Sequence, residues 1–481
     1  MNKKITQITA MAQAMIDQVA EMGRQNRNGD ELITADSAER EIFEQTLRFG
    51  HALFDLFLAE NGDGNVGMET DSGLIAHLRN KQVTSKTYQS IFGLHTYQHW
   101  KYYPGDEPGP YFSPFEARLN IQERRSSYLV QDMLSNLAVN VPMAEAASIF
   151  HSFFNQSVSK RSVDDIIVDQ SAHLTAYEQQ PKPEFSESEG DIVVATFDGK
   201  GVSMLKGSRL SSDGTKRMSM IGADYTVDRY IRNPAEVATN LVYSQFPEIC
   251  LLEEKEAAEK KVIPCAVNKH YQVGIEKKET VFEQIRLSVD RRHQPGQDLV
   301  VLVDGALDLR TQVEKHFSDA TVMILDVIHA VGYIGKSTKA LYNADDYRAQ
   351  LHIYVDLLLS QGEEGARMIV EDLKKKLKEA IKISEVDSKQ VNSTITYFTN
   401  NYDRMRYDQY LAAGYPIATG VIESACGMLV CDRMDFAGAR WHLSGAEAVL
   451  KMRAIKKSNE WKNYQKFRKE REYDRLYAKT G

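Results

Sequence analysis

The stretch VVLVDGALDL, residues 300–309, runs through four apolar residues into Asp304 and stops at Gly305. VVATFDGKG, residues 193–201, ends its own apolar run at Asp198, again followed by glycine. Asp-Gly is a common turn dipeptide after a strand, so either ending alone is ordinary. Two of them, each closing a β-branched run, predict neighbouring carboxylates on one sheet edge. Working outward, strands are expected over 192–198, 201–206, 216–226, 298–304 and 321–327, with a helix over ALDLRTQVEKHF (306–317). A long mixed segment separates the third strand from the fourth.

Three consecutive strands, then strand, helix and strand, is the order of an α/β RNase H-like (retroviral-integrase-like) core with a mixed sheet. The first and fourth strands of such a sheet lie side by side, which sets Asp198 beside Asp304. Like charges held together are unfavourable unless protonated or neutralised, and hard oxygen donors of this kind suit Mg²⁺ or Mn²⁺. A third carboxylate from a later helix completes a two-metal site for phosphodiester chemistry. Glu423, in GVIESACGML (420–429), is the candidate, because Cys426, Gly427 and Val430 give its helix a small apolar face for close packing on a sheet. A glutamate in a first helical turn also complements the helix dipole without forming a site. Asp326 and His329 make D-x-x-H at the end of the next strand and are candidate auxiliary residues, although a histidine there is more often structural. Asp326 is the rival to Asp304 for the second acid; Asp304 is preferred because LVVLV before it reads as the cleaner central strand.

A chain of 481 residues with 42% hydrophobic and 26% charged residues exceeds one compact core, and two to four domains are expected. The boundaries read as follows: an N-terminal helical and small mixed region over 1–115, a helical segment over 116–176, a polar linker over 177–191, the first part of the core over 192–335, a helical insertion over 336–412, the last core helices with Glu423 over 413–455, and a basic C-terminal tail over 456–481. The net charge of -8 argues against a uniformly basic nucleic-acid binder, but the charge is unevenly placed. Past Lys451 basic residues outnumber acidic ones, with Trp461, Tyr464 and Phe467 among them. Cys250, Cys265, Cys426 and Cys431 form no CxxC pair, which speaks against a zinc ribbon and a disulfide framework. No signal-peptide core and no bilayer-spanning run is apparent, so a cytoplasmic, nucleoid-associated protein is expected.

PMAEAASIFHSFFNQSVSKRSVDDIIVDQ (142–170) has the outline of a helix-turn-helix whose second helix presents Lys160, Arg161 and Ser162 to DNA. Helical hairpins without DNA function share that outline. Lys200, Lys206, Arg209, Lys216 and Arg217 cluster around the expected first hairpin, and Lys456 and Lys457 open the basic tail; both groups are candidates for phosphate contact, with a solvated surface as the ordinary reading.

DGKGV (198–202), VDGALDL (303–309), LDVIHAVGYI (325–334), GYPIATGVIESACGMLVCDRM (414–434) and GARWHLSGAEAVLKMRA (438–454) together resemble the DDE transposases of prokaryotic insertion sequences, most closely the ISKra4 family. The resemblance implies a metal-binding and catalytic triad of Asp198, Asp304 and Glu423 holding two Mg²⁺ ions, for which Mn²⁺ can substitute. It also implies that Arg440 and Trp441 pack near the active-site helix, and that the long interval before Glu423 is a helical insertion. Its partners would be the element's terminal inverted repeats and target DNA, with a homodimer or larger assembly on DNA and no membrane. Relatives often carry a cysteine-ligated zinc module ahead of the helical region, whereas YQHWKYYPGDEPGPYF (97–112) holds no cysteine. The activity expected is metal-dependent DNA end cleavage and strand transfer. Two rivals stand beside it: a non-catalytic DNA-binding descendant of such an enzyme, and a hydrolase using paired carboxylates as acid and base.

Overall fold

In the computed structural model, which describes residues 2–29, 32–66, 78–104, 111–180, 189–209, 215–246, 263–379 and 383–478, the strand that carries Asp198 does not stop at it. Most of the expected linker, the tip of the hairpin after Arg209, and Cys250 lie outside the described residues. The chain divides into two units, Met1–Tyr177 with Lys462–Gly481, and Glu178–Trp461.

The first unit opens with helices α1 (Asn2–Asn28) and α2 (Ala35–Glu60), followed by an antiparallel hairpin of β1 (Leu78–Ser90) and β2 (Gly93–Pro104). Helices α3 (Pro114–Leu119), α4 (Tyr128–Ala138), α5 (Met143–Phe154), α6 (Lys160–Ser171) and α7 (Leu174–Glu178) follow. Serines start three of them: the hydroxyls of Ser113, Ser127 and Ser159 accept the N–H groups of Glu116, Val130 and Ser162, satisfying donors that the first helical turn leaves open. The α5–α6 pair packs with α4 around the fully buried Val130, Leu134, Val163 and Ile167.

The second unit is built on a five-stranded sheet. Its elements are β3 (Ile192–Ser203), β4 (Lys216–Val227), α8 (Pro234–Gln245), β5 (Val267–Gly274), α9 (Lys278–Arg292), β6 (Asp298–Val303), α10 (Leu307–His316) and β7 (Val322–Leu325). The strand order is β5-β4-β3-β6-β7, with β3, β4 and β5 antiparallel and β3, β6 and β7 parallel. Side chains alternate between faces along each strand. Ile192, Val194, Val300 and Leu302 face one core, and Val193, Ala195, Phe197, Val301 and Val303 face the other. The second core is closed by residues of α9 and α10.

Three expectations about these strands change. The expected strands 192–198 and 201–206 merge into one strand that ends at Ser203, because β4 supplies a partner for every residue from Ile192 to Ser203 and Gly199 is carried through in extended form. The third strand is β5, inside the segment read as mixed; its buried positions include His270 and Gln272, so its inward face does not look apolar. His329 lies in the first turn of a helix and not on the strand end.

That helix is α11 (Val327–Leu341), which runs across the expected boundary at 335; α12 (Ala344–Glu379), α13 (Glu385–Thr399) and α14 (Tyr407–Ala412) follow. They form the core on one face of the sheet: Val331, Leu351, Val355, Ile369 and Tyr407 are buried in the same cluster as Ile192 and Val300. The long α12 breaks at Gly362, whose φ of 56° leaves the helical region. After α14 come α15 (Gly420–Ala425), a π-helical turn over Cys426–Cys431, the single turn α16 (Asp432–Met434), α17 (Leu443–Lys457) and α18 (Trp461–Tyr477).

The basic C-terminal tail is therefore a packed helix. Tyr464, Gln465, Phe467, Arg468 and Tyr477 are buried on one side of α18, which joins the first unit from Lys462 onward. Gln465 donates to Gln170 at 3.0 Å, Arg468 to Gln131 at 3.1 Å, and the Tyr464 hydroxyl to the carbonyl of Gln170. Aromatic residues at helical spacing make the buried stripe, and most of the lysines point outward.

Candidate active site

Register places three aspartates at one level. The last pair of β3 with β6 is Thr196 with Leu302, and two residues further along each strand stand Asp198 and Asp304. The last pair of β6 with β7 is Val303 with Leu325, and one residue further stand Asp304 and Asp326. Asp304 is thus the middle member of a row that lies just past the ends of β6 and β7 and at the matching level inside β3, on the side where open α/β sheets bind ligands.

The three are held differently. Asp198, half-buried within β3, accepts the thiol of Cys426 on Oδ2 at 3.2 Å and the N–H of Gly199 on Oδ1 at 2.6 Å. Asp304, half-buried just past β6, accepts the N–H of Ala306 at 2.9 Å. Its carbonyl accepts the hydroxyl of Tyr397 at 2.7 Å, and Gly305 turns the chain with a φ of 85°. A Cβ at that glycine would stand 2.8 Å from Leu325 and 2.9 Å from Tyr397. Asp326 is fully buried. Its carboxylate accepts from Ile328 N at 3.1 Å, Thr419 N at 3.2 Å, Thr419 Oγ1 at 2.7 Å and His329 Nδ1 at 2.7 Å. That carboxylate caps α11 and clamps the segment leading to α15.

Glu423 stands on α15, which packs against β3 and β4. Burial pushes its carboxyl up, the charges of Asp326 and Asp198 push it further, and His329 opposes them. Asp304 is likewise raised, first by burial and then by Asp198 and Asp326, against the Ala306 N–H and His329. The His329 imidazole is raised mainly by its hydrogen bond to Asp326, against burial, and then by the charges of Asp326, Asp304 and Asp198. Burial and the Asp198 charge push the Cys426 thiol up, which keeps it a donor.

The π-helical turn after α15 disrupts the regular carbonyl pairing of the helix, and such turns recur at functional sites. Arg453 of α17, buried, donates from Nε to Leu429 O at 2.9 Å and also to the carbonyl of Met428. Trp441 ties the end of this run back to β3. Its N–H donates to Ser203 O at 3.1 Å, its carbonyl accepts from Leu205 at 2.8 Å, and Nε1 donates to Met434 O at 3.1 Å. The Arg433 guanidinium lies 4.6 Å from its ring centre, while Arg440 points to solvent.

The basic candidates do not form one group. Lys200 is exposed on β3 two residues past Asp198, and its charge reaches the Cys426 thiol. Lys206 is exposed, and Arg209 is half-buried with Nε donating to Met204 O at 3.3 Å. Lys456 lies 6.0 Å from the Trp461 ring centre and Lys457 is exposed, both at the end of α17. Lys160 and Arg161 are exposed at the start of α6 in the first unit, where Ser162 is engaged in the cap with Ser159.

The donor chemistry at the sheet end, carboxylate oxygens with excess negative charge, fits a hard divalent cation. Asp198, Asp304 and Glu423 stand further apart than a closed ligand set. Among the described residues only His51, Asp55 and His95 bring three possible ligand atoms within 4.8 Å of one another. No family model matches this chain, and no curated protein matches it.

Sequence reasoning treated Cys426 only as a small packing residue and passed over Thr419, Tyr397 and Arg453. The spacing Glu423–Cys426, three residues on one helix face, was the available signal for the first. Thr419 stands at the start of the Glu423 helix, but its partner Asp326 is remote in sequence, and Tyr397 and Arg453 reach the site from distant segments.

Proposed function

We propose that this chain is a DDE-type DNA transposase, with an RNase H-like core in which Asp198, Asp304 and Glu423 are the catalytic acids. The observation that carries the reading is the row at the sheet end: Asp198 and Asp304 level on adjacent parallel strands, with Glu423 close enough for the Asp198 charge to raise its carboxyl. Asp304 is favoured over Asp326 as the second acid. Asp326 already accepts four hydrogen bonds and is closed to solvent, whereas Asp304 stands in the open turn after β6.

Mg²⁺ or Mn²⁺ held by the three acids would activate an attacking oxygen and stabilise the leaving oxygen of a phosphodiester. The chain's own residues orient the acids. Cys426 fixes one oxygen of Asp198, Tyr397 and Gly305 shape the turn under Asp304, and Asp326 through Thr419 sets the start of α15 under Glu423. Hydrolysis by water and transfer to a DNA 3′-hydroxyl are the same in-line displacement with different nucleophiles. The exposed lysines Lys200 and Lys206 suit the phosphate backbone of an entering strand, and Lys160 and Arg161 that of the element ends. Assembly as a homodimer or larger on DNA belongs to the same proposal. No helix among the described residues is long and apolar enough to cross a membrane.

The test is cleavage of a supercoiled plasmid carrying the element's ends, with Mg²⁺, Mn²⁺ or chelator. Metal-dependent nicking by the intact chain, lost in Asp198→Ala, Asp304→Ala and Glu423→Ala, is expected. Binding of the ends without any cutting would replace this reading with that of a non-catalytic DNA-binding protein.

A further inference from the structure

In the first unit, far along the sequence from the acids just described, a second set of side chains converges. His51 and Asp55 lie one turn apart on α2, and His95 faces them from β2, where it pairs with Tyr88 across the hairpin. His95 Nδ1 is 2.7 Å from Asp55 Oδ1, and His51 Nε2 is 3.3 Å from Asp55 Oδ2. The two imidazoles stack at 4.3 Å between centres. We propose that His51, Asp55 and His95 form a binding site for a divalent transition-metal ion of the zinc type, which ties α2 to the β1–β2 hairpin.

Hydrogen bonding outside the cluster argues for an ion. His51 Nδ1 is 3.3 Å from the carbonyl of Phe92, and a carbonyl only accepts, so this nitrogen carries the proton. The other nitrogen, Nε2, is turned toward the Asp55 carboxylate, so imidazole and carboxylate present their ligand atoms to the same point. His95 has a matching arrangement: its Nε2 is 2.7 Å from Ser90 Oγ, which leaves Nδ1 for a ligand role. Outward nitrogens anchored to a carbonyl and a hydroxyl are what fix ring orientation in metal-binding histidines.

Donor type and spacing agree with this. Two imidazoles and a carboxylate are a donor set for Zn²⁺ and neighbouring transition ions, not for Mg²⁺. Ligand atoms about 2.0–2.1 Å from a tetrahedral ion stand about 3.3–3.4 Å apart, close to the His51–Asp55 separation, whereas the 2.7 Å between His95 Nδ1 and Asp55 Oδ1 is a hydrogen-bond distance that opens when an ion enters. Helix and hairpin are built for close approach here. A Cβ on Gly50 would meet Phe92 at 2.4 Å, and one on Gly93 would meet His51 Nδ1 at 3.0 Å. The His95 side chain is sealed from solvent while those of His51 and Asp55 are 36% and 44% exposed, so an ion can enter from the helix side. Three protein ligands leave a fourth position for water.

The site is tested on the full chain, stripped with chelator, by calorimetric titration with Zn²⁺ and by the visible absorption of bound Co²⁺. One ion per chain is expected at this site, with a rise in melting temperature. His51→Ala and Asp55→Ala, both at half-buried positions on α2, should each weaken binding at least about tenfold and abolish the Co²⁺ band while the circular dichroism stays that of the intact chain. Ser90→Ala, which removes the partner of the outer nitrogen of His95 and an acceptor of the Phe92 N–H, should weaken it about 10- to 100-fold. Failure of the intact chain to bind one equivalent would overturn the proposal. So would unchanged binding in His51→Ala and Asp55→Ala, or binding lost only in Asp198→Ala.

Discussion

Asp224 on β4 and Asp304 at the end of β6 both lose water in the same sheet, but only Asp224 takes a hydrogen bond from a buried guanidinium in return. Its carboxylate, fully buried, accepts from His270 Nδ1 at 2.8 Å, Ser288 Oγ at 2.9 Å and Arg292 Nη1 at 2.7 Å. Arg292 also reaches Glu189 at 3.2 Å and the carbonyl of Asn268 at 2.7 Å. Burial pushes the Asp224 carboxyl up, yet His270 and Arg292 outweigh it and leave the group below its ordinary range. Asp304 has one backbone N–H, a distant His329 and two acidic neighbours, and it ends above that range. Burial is therefore not what distinguishes a site acid from a structural one. The distinction is whether the fold supplies the countercharge or leaves it to a ligand.

The largest effect that would sharpen this contrast is on activity. Asp304→Ala should lower metal-dependent nicking by about 10³-fold or more, since several kcal/mol of charge stabilisation go with one acid. Survival of nicking in Asp304→Ala with loss in Asp326→Ala would exchange the roles of the two aspartates. Next in size, Arg292→Met should destabilise the fold by about 3–5 kcal/mol in denaturant titration, because Asp224 and Glu189 would remain buried without their partner. A loss under about 1 kcal/mol would erase the difference between the two regions.

Asp326→Ala should cost about 1–3 kcal/mol, as Thr419 and His329 lose their acceptor, and should reduce nicking less than Asp304→Ala does. The smallest effect runs the other way. A carboxyl raised in the folded chain lowers stability as pH rises from its unfolded value, about 3.9, through its folded one. In the presence of chelator, Asp304→Asn should accordingly melt higher than the parent at pH 7, with the gap closing below about pH 4. A variant that melts lower at pH 7 would show that Asp304 has a countercharge after all. Added Mg²⁺ should raise the melting temperature of the parent and leave Asp304→Asn nearly unmoved.

Part of the sheet end could be read before any coordinates. LVVLVDG and VVATFDG read as buried strands because apolar, β-branched runs suit a surface covered on both faces, and their parallel pairing is a property of the sheet. The two Asp-Gly pairs look alike in sequence and differ in space: Gly305 turns the chain, whereas Gly199 continues a strand because β4 lies alongside it. β5 was hidden by His270 and Gln272, buried polar residues of which His270 finds its partner, Asp224, on β4. The helix α18 looked like a free basic tail because its lysines and arginines outnumber the aromatic residues that anchor it.

By itself, then, the sequence determined the apolar strands, their order along the chain and which acids stand near strand ends, since these follow from local periodicity and turn chemistry. Tertiary structure alone decided which carboxylates are neutralised. Arg292 and His270 answer Asp224, Thr419 completes the bonding of Asp326 beyond its local pair with His329, and Cys426 reaches Asp198 across more than two hundred residues. Charge compensation depends on distances between segments remote in sequence, and no local pattern encodes a distance.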